Sequence, residues 1–275
     1  MPELPEVETI RRQLEQAVVN RRINRVEVFF SGRLNLSAKD FSSGIEGRKI
    51  LSVRRRAKIL LINMSGGYSL VVHLKMSGQL LLVLPDHSPG KHTHIVLHLS
   101  GRQVLFFDDV RKFGYFRLFK TAELSAKVFA PAQLGVEPLE DEFTVAGFTT
   151  CLRHHSRAAI KPLLLSQKCV VGVGNIYSDE SLWTAKIRPN RPAGKISAAE
   201  IKRLHSAIRN ILAKSIEIGG TSFDQYRDTA GKRGGYVRLL KAYGRDGLPC
   251  ARCGEPIKKT RLGGRGTHWC PKCQK

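Results

Sequence analysis

At 275 residues, 42% hydrophobic and 7% aromatic, the chain can form one large domain or two ordinary ones, each with a packed core. No run approaches the ~18 consecutive apolar residues of a membrane span, and no basic stretch followed by an apolar one marks a secretory signal, so a cytoplasmic protein is expected. The net charge of +23 is uneven: residues 151–275 hold 25 Lys+Arg against 8 Asp+Glu, and residues 1–150 hold 21 against 15. A basic half of this size calls for a polyanion, and the lack of a basic amphipathic helix with an exposed apolar face favours nucleic acid over an anionic membrane.

The chain opens with "MPELPEVETI". Removal of the initiator would leave Pro2 with a free secondary amine, whose pKa as an α-amino group near ~7.7–8.0 keeps part of it neutral at physiological pH. Such an amine can attack an electrophilic carbon and form an iminium. Carboxylates follow at Glu3, Glu6 and Glu8. Taken alone, these residues read first as an ordinary extended start held by its prolines.

Val7, Ile10, Leu14 and Val18 recur at helical spacing and predict a first helix over roughly 5–18. Eight short β-rich runs follow: "INRVEVFF", "KILSV", "KILLINM", "YSLVVHL", "QLLLVL", "HIVLHL", "QVLFF" and "GYFRLF". Separated by Gly, Pro, Asp and Ser turns, they predict a β-sandwich or barrel. "PAQLGVEPLEDEF" (131–143) has no periodicity and reads as a linker. Downstream the pattern turns helical through "TVAGFTTCLRHH", "IKPLLLSQ", "NIYSDESLWTAK" and "SAAEIKRLHSAIRNILAKSIEIG". In the last, Ser197 with Glu200 three residues on predicts a capping box, and Gly219-Gly220 a stop. The polar, Gly-rich stretch after Gly220 reads as a loop beside a ligand.

Cys250-x2-Cys253 and Cys270-x2-Cys273, 16 residues apart, have the spacing of a zinc ribbon. Two tight turns then offer four thiolates to one tetrahedral, structural zinc. Cys151 and Cys169 fall in helical segments and read as buried free thiols. In "VVGVGNIYSDE", Gly172 and Gly174 stand just ahead of a predicted helix at Asn175, where bare backbone and helical N–H groups suit an anion.

Together, "MPELPEVETIRRQL", "RRRAKILL", "HLKMSGQL", "DDVRKFGYF", "VVGVGNIYSDESLW" and "CARCGEPIKKTRLGGRGTHWCPKCQ" occur in an order that resembles bacterial formamidopyrimidine-DNA glycosylase, over essentially the whole chain. The resemblance implies an α+β protein of two domains. The first is an N-terminal β-sandwich flanked by helices; the second is a C-terminal helix–two-turn–helix domain with a zinc-ribbon β-hairpin. The expected segments are a catalytic sandwich over 1–130, a linker over 131–143, the helical DNA-binding part over 144–220, a lesion-covering loop over 221–244 and the zinc finger over 245–275.

It further implies base-excision repair of oxidised purines in duplex DNA. Pro2 would attack the deoxyribose C1′ and Glu3 would protonate the sugar. Lys58 and Arg265 would serve the eliminations that cut the strand. Met76, Arg111 and Phe113 correspond to residues that fill the gap left by the everted nucleotide. His73, His92, Arg157, Asn175 and Tyr243 correspond to DNA contacts. One zinc on Cys250, Cys253, Cys270 and Cys273, no organic cofactor, damaged double-stranded DNA as partner, a monomer, and a bacterial cytoplasm with nucleoid association are the remaining expectations. Lys75 departs from the family's usual glycine before Met76, and Lys112 from a common arginine. The alternatives are an endonuclease VIII-like enzyme for oxidised pyrimidines, against which Leu4 and the long 221–243 loop stand, and a non-catalytic zinc-ribbon DNA-binding protein. A short N-terminal-proline tautomerase does not fit the length, the charge or the cysteines.

Overall fold

Pro5 and the acidic Glu6 open α1 (Leu4–Val18), as the predicted helix required, in a computed structural model that describes residues 1–223 and 225–275. The backbone N–H of Glu3, its N-cap, donates to Glu6 Oε2 at 2.7 Å. Val7, Ile10, Leu14 and Val18 all face inward. The chain separates into two units, Met1–Ala132 with Ile218–Gly235, and Gln133–Glu217 with Tyr236–Lys275.

In the first unit, all eight β-rich runs form strands: β1 (Ile23–Val28), β2 (Ile50–Arg56), β3 (Ile59–Met64), β4 (Tyr68–His73), β5 (Gly78–Val83), β6 (Thr93–Leu99), β7 (Gln103–Asp109) and β8 (Tyr115–Lys120). They build two four-stranded antiparallel sheets, ordered β1-β6-β7-β5 and β2-β3-β4-β8. Successive side chains alternate faces. Leu60 and Ile62 of β3 and Leu105 and Phe107 of β7 therefore join one core, shared with α1, while Ile59, Leu61, Val104 and Phe106 face away into smaller clusters. Phe107 and Phe116, from different sheets, meet with ring centroids 4.7 Å apart.

The short helix α2 (Ala38–Ile45) escaped the sequence reading. Its signal is small: Ser37 accepts from the Asp40 N–H at 3.1 Å, and Phe41 and Ile45, four apart, are both fully buried.

The second unit contains α3 (Val145–His154), α4 (Ile160–Leu165), α5 (Asn175–Ala185) and α6 (Ala198–Glu217), followed by the hairpin β9 (Lys258–Leu262) and β10 (Arg265–Trp269). The capping box forms: Ser197 N–H and Oγ both donate to Glu200 Oε2 at 2.9 Å. Arg191 on the same carboxylate leads the effects that hold Glu200 down to about 2. The fully buried Tyr177 of α5 meets Ser215 of α6 at 2.6 Å between hydroxyls. The stretch after Ala132 is not a bare tether. Gly135 N–H donates to Gln167 O at 2.8 Å, Phe143 is buried, and Arg209 bonds the Glu140 carbonyl.

One expectation is corrected. Cys151 and Cys169 are not free thiols but a disulfide with Cα atoms 5.6 Å apart. Helical patterning fixes the neighbourhood of each residue in sequence; it carries no information on two Cβ vectors meeting between α3 and the segment after α4.

Candidate active site and nucleic-acid interface

Pro2 and Glu3 sit buried at the head of α1, and Pro2 is joined to the exposed Met1. Glu6, the next carboxylate, accepts from Glu3 N–H and, with its other oxygen, from Thr221 N–H at 2.7 Å. Glu8 accepts from Arg11 and Arg12 and from Arg55 Nε at 3.0 Å. Burial alone would raise its pKa; the bonds from the three arginines outweigh that and hold the carboxyl below its ordinary range. Arg55 also donates to Ala57 O at 2.9 Å, bracing the β2–β3 turn from which the buried Lys58 projects.

Of the non-glycine residues of this unit in the left-handed region, three lie in turns beside the candidate site: Ala57 (φ 54°), Lys75 (φ 51°) and Lys112 (φ 55°). Each adjoins a candidate residue, namely Lys58, Met76, and Arg111 with Phe113. Such strain persists only where the surroundings over-determine it. Around the turns of Lys75 and Lys112 the surroundings centre on Asp109, which is fully buried. Its carboxylate accepts from Ser77 Oγ, from Arg111 N–H at 3.2 Å and from Gly114 N–H at 2.7 Å. Its own N–H donates to His92 O at 2.9 Å. Gly114 admits no side chain, because a Cβ would lie 2.7 Å from the Phe107 ring and 3.0 Å from Asp109 Oδ2. Sequence reasoning missed Asp109; its only signal was a second acid in "DDVRKFGYF".

The result is a cluster of Met76, Arg111 and Phe113. Arg111 Nη1 lies 3.1 Å from Met76 Sδ, and its guanidinium lies 4.9 Å from the Phe113 ring centroid. Phe113 is 43% exposed, which sets it apart from a strand core residue. His73 lies at the end of β4 and accepts at Nδ1 from Lys75 N–H at 3.0 Å. Burial, then the charges of Lys75 and Lys58, push its pKa down to about 3. His73 is therefore a neutral ring with Nε2–H as its donor. His94, the neighbour easily confused with His92, is buried and bonded to Asp109 O at 2.7 Å.

In the second unit, Gly172 takes φ 81° and Gly174 caps α5. Asn175 donates to Gly266 O at 3.0 Å, while its buried Oδ1 has no hydrogen-bond partner among the described residues. That contact brings Asn175 beside the exposed Arg265, which follows the Gly263-Gly264 turn of the hairpin. Tyr243 packs its ring 5.0 Å from His268 of β10. Its N–H donates to Glu180 Oε1 at 2.8 Å, and burial raises the Glu180 pKa. Arg157 lies exposed in the turn after α3.

The hairpin is tied down by a buried ion pair that the sequence did not announce. Lys161 Nζ lies 2.7 Å from Asp179 Oδ1, both side chains wholly buried, and also donates to Gly266 O and Thr267 Oγ1 at 2.9 Å. Asp179 Oδ2 accepts from His268 N–H at 2.8 Å. The ligand atoms of Cys250, Cys253, Cys270 and Cys273 lie within 4.8 Å of one another, and Trp183 Nε1 donates to Cys250 Sγ at 3.3 Å. Burial, then the adjacent sulfurs, push Cys273 up to about 12, while at Cys250 burial is outweighed by hydrogen bonds from Arg252 N–H, Trp183 and Cys253 N–H, which hold it down to about 6. A cation among the four sulfurs would hold them all as thiolates. Four convergent sulfurs fit one tetrahedral zinc.

Three family models match in succession: the formamidopyrimidine-DNA glycosylase N-terminal domain over residues 1–116, its H2TH domain over 134–227, and a zinc finger found in FPG and IleRS over 247–275. The chain belongs to the formamidopyrimidine-DNA glycosylase family. A formamidopyrimidine-DNA glycosylase of Pelotomaculum thermopropionicum is 44% identical over 100% of this chain and 99% of its own, and one of Streptococcus pyogenes is 45% identical with the same coverage. The crystal structure of wild-type Lactococcus lactis Fpg with DNA containing an oxidised pyrimidine superposes with a TM-score of 0.93 at 37% identity, covering 100% of both chains. An L. lactis Fpg variant bound to Fapy-dG DNA gives 0.94 at the same identity and coverage. These neighbours carry the same α+β architecture that the glycosylase family models mark along this chain.

Proposed function

We propose that this glycosylase removes oxidised purines, 8-oxoguanine and formamidopyrimidines, from duplex DNA and then cuts the abasic strand. The observation that carries the reading is the Pro2–Glu3 pair held buried at the first turn of α1, in a chain whose relatives along its full length are formamidopyrimidine-DNA glycosylases. After Met1 is removed, Pro2 is a secondary amine. Its nitrogen attacks C1′ of the damaged nucleotide as the base leaves, and the ring-opened sugar becomes an iminium on Pro2. Glu3 protonates the sugar ring oxygen. An iminium carries a full positive charge without any N–H to lose, so it acidifies C2′ and drives loss of the 3′ phosphate and then the 5′ phosphate. Lys58 is assigned to the first elimination and Arg265 to the second, each also neutralising a flanking phosphate.

Met76, Arg111 and Phe113 fill the space of the everted nucleotide: a flexible apolar wedge, a planar donor for the orphaned base and an aromatic plate. Their mutual contacts support this assignment. Asn175 and His73 bind phosphates, with Tyr243, His92 and Arg157 as further DNA contacts. Asn175 holds its amide nitrogen, a donor, at Gly266 O beside Arg265. The zinc fixes the hairpin that presents Arg265. The segment 221–244 covers the everted purine; Asp224 within it lies outside the described residues. The enzyme works as a monomer in the cytoplasm, on nucleoid DNA.

Borohydride reduction tests the chemistry. A protein verified to begin at Pro2 is expected to cross-link to duplex containing 8-oxoguanine. Robust cross-linking by protein verified to begin at Met1 would remove Pro2 from the mechanism. Because an L. lactis relative has been solved with oxidised-pyrimidine DNA, that lesion belongs in the same assay. A purine enzyme is expected to process 8-oxoguanine the faster of the two.

A further inference from the structure

The Cys151–Cys169 disulfide joins two segments that both lead to proposed DNA contacts. Cys151 lies in the last turns of α3, and the exposed Arg157 follows six residues later. Cys169 lies in the segment that runs directly into the Gly172–Asn175 turn. That segment is built as a brace. Gln167, at φ 63°, accepts from Gly172 N–H and donates to Val173 O, each at 2.6 Å, and Val170 pairs with Val136. The two residues differ in burial, since Cys169 is 4% exposed and Cys151 is only half-buried. Beside Cys151 stands His155, its Nδ1 3.0 Å from Cys151 O and 3.9 Å from Cys151 Sγ. An Nδ1–H held by that carbonyl also faces the sulfur and favours its thiolate.

We propose that Cys151 and Cys169 form a reversible dithiol–disulfide site, closed by a hydroperoxide and opened by a small dithiol, whose state sets how tightly the second unit holds DNA phosphates. On closure, the Cys151 thiolate attacks the terminal peroxide oxygen. The O–O bond breaks, the alcohol or water leaves with a proton, and Cys151 becomes a sulfenic acid. The Cys169 thiolate then attacks the Cys151 sulfur, the S–O bond breaks and water leaves. Two thiols and one hydroperoxide thus give one disulfide, one alcohol and one water, with two electrons passing from sulfur to oxygen. On opening, a dithiol attacks the sulfur of the less buried Cys151 and Cys169 departs as a thiolate. The second thiol of the reductant then releases Cys151 and becomes a cyclic disulfide. The closed form pins α3 to the segment before Asn175. The open form lets the turn and the Arg157 segment move independently. The coupling to DNA rests on the assignment of Asn175 and Arg157 to phosphates.

The test uses the full-length, zinc-loaded protein, treated with stoichiometric hydrogen peroxide or with dithiothreitol, its zinc content checked after each. Differential alkylation and peptide mapping read the two cysteines, and titration with a duplex carrying a tetrahydrofuran abasic analogue reads affinity. The expected result is a closed pair after peroxide, an open pair after dithiothreitol, and at least threefold tighter binding by the closed form. Cys151→Ser and Cys169→Ser are expected to bind like the open form under both treatments. Thiols that stay reduced in peroxide, a bond that resists dithiothreitol in the folded protein, or equal affinity of the two mapped states would overturn the proposal. So would a second equivalent of zinc on the reduced protein, which would make Cys151, His155 and Cys169 a metal site. Asn175→Ala and Arg157→Ala separate the two layers. If neither changes affinity, the phosphate assignment has failed, while the mapped thiol chemistry still stands or falls by itself.

Discussion

The turns of the sandwich unit and the zinc hairpin of the helical unit both present proposed site residues, and they are held by different forces. The sandwich turns grow from strands whose apolar faces are packed on both sheets, and a single buried carboxylate, Asp109, fixes the turns that carry Met76, Arg111 and Phe113. The hairpin has almost no apolar core of its own. Cys250, Ile257 and Cys270 pack with Trp183 and Ala242, and the rest of the fixation is metal and charge. A frame built by apolar burial tolerates loss of one polar contact. A frame built from one ion and one ion pair does not, because each removal leaves buried charge behind. The first region should therefore fail gradually and the second abruptly.

The largest expected effect follows removal of zinc. Structural zinc contributes on the order of 10–16 kcal/mol to small fingers. Chelation, or Cys270→Ser, is expected to abolish protection of residues 250–275 in hydrogen exchange and to weaken DNA binding at least a hundredfold. Protection of β2–β4 and β6–β7 is expected to persist. Concurrent loss of protection in the sandwich would break the contrast between the two regions.

Next comes the buried pair. Lys161→Met leaves Asp179 without its cation and removes two bonds to the hairpin, at Gly266 and Thr267. Breaking one side of such a pair costs roughly 3–5 kcal/mol. Lys161→Met combined with Asp179→Leu is expected to recover most of the unfolding free energy in denaturant titrations. It should not recover the placement of Arg265, because the anchors at Gly266, Thr267 and His268 remain lost. A double variant with full strand cleavage would mean the pair serves stability alone.

Asp109→Ala is smaller in energy and sharper in function. Ser77 Oγ–H and Gly114 N–H lose their acceptor, and Arg111 N–H keeps only its bond to Ser77 Oγ. An unsatisfied buried group costs about 1–3 kcal/mol. The sandwich core should survive, while Met76, Arg111 and Phe113 lose their common geometry. Single-turnover excision of 8-oxoguanine from duplex is expected to fall at least tenfold, and cleavage of a preformed abasic site much less, since no base then has to be extracted. Equal losses on both substrates would remove these residues from gap filling.

Much of this arrangement was legible in the sequence, for physical reasons. Short β-rich runs bounded by turn residues located the eight strands of the sandwich, and period-3.6 patterning with Ser197 and Glu200 located α6, because burial of one helix face leaves a repeating trace. The zinc site was legible because its ligands are close in sequence as well as in space. What escaped was set by contacts distant in sequence. Asp109 gathers partners from 77 to 114, Lys161 meets Asp179 and Gly266, and Cys151 meets Cys169. A single carboxylate, lysine or cysteine carries no mark of the partner it will find. The catalytic assignments to Pro2, Glu3, Lys58 and Arg265 rest on motif resemblance, since residue type alone left each with an ordinary reading.

The smallest expected effect concerns Lys75, the departure from the family's usual glycine. Its φ of 51° gives that departure a physical meaning: the turn before Met76 is left-handed, which glycine adopts freely. A side chain there costs about 1–2 kcal/mol, against which glycine loses about 0.5–1 kcal/mol more backbone freedom on folding. Lys75 recovers little from its contacts, since its ammonium is 5.7 Å from the Tyr115 ring centroid and its bond to His73 comes from the backbone N–H, which glycine retains. Lys75→Gly should therefore stabilise the sandwich unit by roughly 0.5–1 kcal/mol, or about 2 °C in Tm at this size. The turn keeps its shape in either case, so excision of 8-oxoguanine should stay within twofold and the wedge residue should remain Met76. Calorimetry and single-turnover kinetics on the one variant decide both points. A lower Tm would show that the Lys75 side chain, through Tyr115 or a contact to phosphate-facing residues, holds the turn more strongly than the backbone resists it. An excision rate cut tenfold with Tm raised would show that the lysine acts on DNA, and would move one more cation into the interface.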